Sequence, residues 1–321
     1  MADYLSPASW ILALIQTVLF IAAAPLFVNW VKRIKCYLQN RKPPVLVQPY
    51  RDLRRLFTKQ LVLSHTASPL FRIAPYIVFS TSIMAASVVP FIVAQVPAAA
   101  MADAIVLVGI FALGRFFLAL AGMDVGTSFG GMGSSREMTI VALAEPAMLI
   151  VVFTLAMVTE TTNLSTIIVH TLNSPLALRP SLLFAFTALI LVGIAETGRI
   201  PIDNPSTHLE LTMIHEAMLL EYSGRHLALM EFAAQIKLMI YAVLLANLFI
   251  PWGIATDTTF QAISVAITAI TIKLALLGIL LAVAETAVAK MRIFRVPTFL
   301  AVAFTIALVG MLSAIILEAG Q

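Results

Sequence analysis

What this chain has least of is charge. Asp, Glu, Lys and Arg together make up 11% of its 321 residues, where a soluble domain carries about 25%. Hydrophobic residues make up 61%, and mean hydropathy is +1.00. A water-soluble globule is excluded, and a bilayer is the solvent that fits. Cysteine is nearly absent. The single Cys36 excludes an internal disulfide and a four-thiolate iron–sulfur cluster. The formal charge of +4 and pI near 9.3 invite a nucleic-acid partner, but the basic residues sit in loops between apolar runs, so no nucleic acid is expected. A basic leader is lacking too. The opening MADYLSPASW carries an acid and runs directly into an apolar segment, which reads as a retained span. No long linker, low-complexity stretch or internal repeat interrupts the chain, so one polytopic domain over 1–321 is expected.

Apolar windows long enough to cross a hydrocarbon core, about 20 residues each, fall at 10–31, 73–95, 104–122, 139–159, 181–198, 236–254, 260–284 and 297–317. The expected fold is therefore all-α and integral to the membrane, with eight transmembrane helices. An even count puts both termini on one side. The loop from Lys32 to Arg72 holds ten of the twenty Lys and Arg residues. Every second loop after it repeats the bias, with Arg136, then Arg199 and Arg225, then Lys290, Arg292 and Arg295. Basic loops stay in the cytoplasm, so both termini are expected on the non-cytoplasmic side. Within the first basic loop, residues 50–63 read YRDLRRLFTKQLVL. Leu53, Leu56, Phe57 and Leu61 recur at helical spacing between arginines, the pattern of an amphipathic helix on the cytoplasmic surface. It serves either as a headgroup anchor or as a docking face for a soluble partner, with Gln48, Asp52, Arg54 and Arg55 as the docking candidates.

Chemistry is expected where polar groups enter apolar surroundings. GMDVGTSFGGMGSSREM, from Gly122, is rich in glycine, which permits a re-entrant or loop conformation. It lacks the Gly-Lys-Ser/Thr ending of a phosphate loop. Glu145 lies roughly a turn and a half inside the fourth span, nine residues after Arg136. AETGRIPIDNPSTHLELTMIHEAMLLEYSG, from Ala195, is acidic yet flanked by spans, as a solvated loop or a cavity lining would be. Glu196 ends the fifth span, Pro201 breaks it, and Asn204-Pro205 reads as a fresh helix start running to about Tyr222. Glu210 and Glu221 then share an azimuth to within about 20°. His215-Glu216 suggests zinc hydrolysis, but the second histidine of that motif is replaced by Leu219, and no metal site is expected. Arg115, Lys273 and Glu285 place further ionisable groups in or beside the third and seventh spans. Such groups form a proton relay or pair locally to hold helices together.

Three of these motifs carry a resemblance. AETGRIPIDNP resembles the AETNRxPFD signature of the complex I subunit 1 family, whose member in respiratory complex I builds the quinone chamber. VQPYRDLRRL resembles that family's QPxxDxxKL segment, and the interval from Arg136 to Glu145 matches its Arg-to-Glu spacing. The family's acidic TEGESELV segment is replaced here by NPSTHLELTMIHEAMLLEYSG, in which only Asp203 and Glu210 align with its carboxylates. That wording, with GMDVGTSFGGMGSSREM, is similar to the membrane subunit of energy-converting NiFe hydrogenases of the formate hydrogenlyase type.

The resemblance implies a subunit with no catalytic residue or cofactor of its own. It would join hydrogenase large and small subunits and an iron–sulfur subunit, which hold the NiFe centre and iron–sulfur clusters, to antiporter-like membrane subunits. Its setting would be the inner (cytoplasmic) membrane of a bacterial or archaeal cell. Carried over by position, the proton- or ion-coupling groups are Glu145, Glu196, Asp203 and Glu210, with Arg136 and Arg199 as charge partners and Glu221 as a further candidate. Two rivals stand beside this reading. One is a quinone-chamber subunit of a quinone oxidoreductase. The other is a stand-alone transporter, which would show repeated halves.

Overall fold

The computed structural model describes residues 7–94, 103–173, 179–203 and 213–318. Among these the chain forms eleven α-helices and no strand. They are α1 (Pro7–Leu38), α2 (Gln48–Thr58), α3 (Pro69–Val88), α4 (Ala104–Asp124), α5 (Ser128–Thr159), α6 (Leu164–Asn173), α7 (Pro180–Glu196), α8 (His215–Leu219), α9 (Gly224–Leu248), α10 (Phe260–Ala287) and α11 (Val296–Ser313). Local chemistry sets many of the starts. Ser68, Asp103, Thr127 and Thr259 each accept a backbone N–H of the first turn of α3, α4, α5 and α10. Proline occupies the first turn of α2, α3, α7 and α11, where its missing N–H costs nothing.

Seven stretches are long and apolar enough to cross a membrane, and the 17-residue α7 is a shorter apolar helix. The eight windows read from hydropathy thus correspond to seven full-length helices and one short one. Their bounds differ where charge is buried. The sixth window begins at 236, yet α9 begins at Gly224, because Arg225, Glu231 and Lys237 lower the local hydropathy without ending the helix. This helix is the most enclosed of the described spans. It packs against α3, α1, α2 and α10, while α11 lies along α5 and α7, and α3 lies along α4. The outermost spans are α10 and α11, which are only 22% and 28% buried.

Two expectations change. The FGGMGSS stretch is not a loop but the first two turns of α5. A Cβ on Gly130 would run into the Gly122 carbonyl, and one on Gly133 would meet Ile214 and Met218. The glycines therefore serve close helix approach, as small residues do in membranes. Ser134 fastens the contact by donating to the Ala119 carbonyl at 2.9 Å. The amphipathic helix spans 48–58 rather than 50–63, because Val62 leaves the helix to exchange two hydrogen bonds with the Ser223 hydroxyl. It rests on α9 and α1 with Pro49 and Leu53 buried and Arg51, Arg54 and Arg55 outward. In the segment expected to be helical from 206 to about 222, the described helix is α8 alone. Residues 204–212, with Asn204-Pro205, His208 and Glu210, lie outside the described residues.

Candidate functional site

The turn after α7 organises the charged interior. Gly198, at φ +57°, adopts the left-handed conformation that ends a helix, and the Arg199 N–H turns back to the Ile194 carbonyl at 3.0 Å. Glu196 is the last helical residue, so it is held rigidly while the chain reverses beyond it. It is only 6% exposed, and two cations reach it from neighbouring helices. Arg115 of α4 approaches to 2.5 Å and Lys237 of α9 to 3.1 Å. Arg115, itself 4% exposed, also faces Glu145 of α5 at 3.6 Å. Taking such ions out of water costs several kcal/mol each, and mutual attraction offsets this only while the set is complete.

Glu196, Arg115 and Lys237 border a cavity of about 80 Å³ between α3, α4, α5, α9 and the turn after α7. Arg115, Glu137, Glu196, Asp203, His215 and Lys237 all line it. Glu137 of α5 stands in the field of Lys237 and Arg115. Burial, reinforced by the positive charge of Lys237, pushes the His215 imidazole below its ordinary value, against the weaker pull of Glu216 and Asp203. His215 is therefore a neutral donor–acceptor at pH 7.

Two further clusters brace the turn. Asp203 accepts from Lys290 at 2.9 Å through one oxygen and from the Ile214 and His215 N–H groups at 3.2 Å through the other. The Met291 N–H donates to the Pro201 carbonyl at 2.8 Å, so the connection after α10 is laced to this turn twice. Glu285 receives Lys35 of α1 at 2.7 Å and Arg199 at 3.4 Å. Glu196, Asp203 and Glu285 are thus three buried carboxylates tied to one short reversal of the chain.

The residues expected from sequence distribute as follows. Glu145, Glu196 and Arg115 come together, and Asp203 lines the same cavity. Arg199 serves Glu285, and Arg136 donates to the Met213 carbonyl at 2.8 Å, with no acid paired to it among the described residues. Lys273 stands apart, 3.5 Å from the Asn247 amide oxygen. Arg115, Lys273 and Glu285 therefore keep separate company. Glu221 is exposed. On the surface helix, Gln48 donates to Asp52 at 2.9 Å, and Arg54 and Arg55 face outward. Two lining residues escape the sequence reading, Glu137 and Lys237. Lys237 looks like a boundary charge until α9 is seen to start at Gly224, and Glu137 hides beside Arg136. Among the described residues no group of three or more His, Cys, Asp or Glu is placed to hold a metal.

Known proteins match most of the chain. The NADH dehydrogenase family model matches residues 10–316. Hydrogenase-4 component C of Escherichia coli is 33% identical over 289 residues, 88% of either chain. Formate hydrogenlyase subunit 4 of Escherichia coli is 30% identical over 284 residues, 88% of this chain and 92% of that one. A subunit of the NADH-quinone oxidoreductase of Ralstonia nicotianae is 28% identical over 230 residues, 68% of this chain and 64% of that one. A chain from the structure of the membrane-bound sulfane sulfur reductase (MBS), an archaeal respiratory membrane complex, superposes with a TM-score of 0.79. That match covers 96% of this chain and 99% of the other at 17% identity, and so shows a shared fold.

Proposed function

The chain belongs to the NADH dehydrogenase family, and from that premise we propose that it is the membrane-anchoring and coupling subunit of a hydrogen-evolving, energy-converting NiFe hydrogenase. It is a multi-pass membrane protein. Its relatives are subunits of oxidoreductase complexes, and the hydrogenase subunits match at 30–33% identity over nearly nine-tenths of the chain. In this reading the NiFe centre and iron–sulfur clusters belong to soluble partner subunits seated on the basic cytoplasmic face. That face carries α2 and the turn around Arg199. Both termini lie on the non-cytoplasmic side of the inner membrane. Antiporter-like partners adjoin the chain within the bilayer, and electrons never pass through it.

The observation that carries the coupling role is the sharing of Arg115 between Glu196 and Glu145 beneath the cytoplasmic turn. A guanidinium that moves toward Glu145 leaves Glu196 to Lys237 alone. A lost countercharge favours protonation of a buried carboxylate. Movement of the turn that holds Glu196 and Asp203 would therefore change where a proton rests. Glu137 and the neutral His215 stand at the same cavity to pass it on. Glu210 completes the acidic set by its place in the sequence.

The test is Glu196→Gln beside Glu210→Gln, in the complex purified through this subunit. Nickel content and hydrogen evolution from reduced viologen report the assembled enzyme, and proton uptake into inverted vesicles reports coupling. Glu196→Gln is expected to leave nickel in place while proton movement and coupled hydrogen evolution fall. Unchanged proton movement in both variants would remove the coupling role. The match to an NADH-quinone oxidoreductase keeps a quinone-chamber subunit as the second reading. Quinone reduction by a preparation without nickel would decide for it.

A further inference from the structure

We propose that a groove between the cytoplasmic ends of α5 and α11 binds an anionic phospholipid, with an acyl chain against its walls and the phosphate facing arginine. This assignment does not depend on the hydrogenase reading. The groove has a volume of about 280 Å³, and Ile140, Ile214, Ile293, Val296 and Pro297 make its walls largely apolar. At about 30 Å³ per water, it would hold several waters with few partners to bond, so an apolar occupant fits it better.

Charge specifies the head. Among the described residues Arg136 is the one ionised side chain lining the groove. One of its nitrogens is spent on the Met213 carbonyl. Among the described residues no carboxylate lies within ion-pair distance of it, nor of the exposed Arg292 and Arg295 at the groove's outer edge. Three guanidinium groups with no acid paired to them among the described residues, beside apolar walls, complement a phosphate carried on hydrocarbon.

Depth specifies a lipid over a soluble partner. The last apolar stretch begins at Ile293, which puts the groove at the level of the headgroups. Phe294, on the tight turn Ile293–Arg295, is 89% exposed between two arginines. Basic residues congregate at the cytoplasmic edge of a bilayer. Its wall α11 belongs to a stretch only 28% buried, so the groove opens toward lipid and not toward the packed interior.

The experiment uses the intact complex in nanodiscs. A Phe294→Trp substitution places a fluorophore on an exposed position that tolerates it, read as the difference from the unsubstituted complex. Brominated phosphatidylglycerol is expected to quench it at about one-fifth the mole fraction that brominated phosphatidylcholine requires. Arg136→Gln is expected to cut that preference to about twofold, Arg292 and Arg295 supplying the remainder at an anionic surface. Where Arg136→Gln prevents assembly, the double variant Arg292→Gln with Arg295→Gln, both exposed, is expected to lower the same preference. Equal quenching by the two lipids overturns the proposal. So does an absence of quenching by either, which would mean that a protein partner covers Phe294.

Discussion

Glu196 shows what a single buried charge reveals and conceals. An acid at the end of an apolar run has to be paired or solvated inside the protein, and Arg115 and Glu145 announce themselves in the same way. Their mutual contact follows from helix packing, which no spacing along the chain records. Lys237 is missed because hydropathy alone takes it for a charge at the edge of the sixth span, whereas α9 extends well before it and its countercharge on α7 keeps it inside. His215 carries a prediction at this scale. Its folded-state value lies below the ordinary imidazole value of 6.5, mainly through burial. The unfolded chain therefore takes up a proton that the native chain refuses. Stability should hold above that pH and fall below it, by up to about 1.4 kcal/mol per pH unit. Thermal melts of the detergent-solubilised complex between pH 7 and pH 5 check this. His215→Asn should flatten the His215 contribution to that slope, and an unchanged slope would exclude this histidine as its source.

At the level of whole elements, composition finds the helices and misreads one job. The glycines around 130 are as compatible with a loop as with a helix. The decision is made by the neighbouring carbonyl of Gly122, which leaves no space for a side chain and so draws α5 against α4. Gly130→Ala raises helix propensity, which would stabilise an isolated helix, yet it should destabilise this protein by about 1–3 kcal/mol through overpacking. A drop in the melting temperature of the variant complex is the expected result, and a rise would show that α4 and α5 part easily. The same logic governs α2. Its apolar face and arginines are plain in the sequence, but its end at Thr58 depends on Ser223, far along the chain.

For the molecule as a whole, the alternation of basic and non-basic loops predicts an orientation before any contact is known. With Cys36 changed to Ser, a cysteine placed at the exposed Arg41 should react with an impermeant maleimide only in inverted vesicles. One at the exposed Glu160 should react only from the opposite side. The reverse pattern would invert the topology and move the charged cavity away from the cytoplasm. What the loop charges do not show is which helices meet, and here the pairing of first and late elements stands out. Trp30 donates its indole N–H to the Ala275 carbonyl, 245 residues away, and Lys35 reaches Glu285 on the same late helix. A ribosome delivers α1 long before α10 exists. During that interval α1 has a lysine and an indole waiting at the membrane edge without their final partners, and only the emergence of α10 supplies them. The early chain is thus unfinished business for the insertion machinery. Mutations in α10 should be felt first as loss of newly made protein, before any effect on proton movement can be measured.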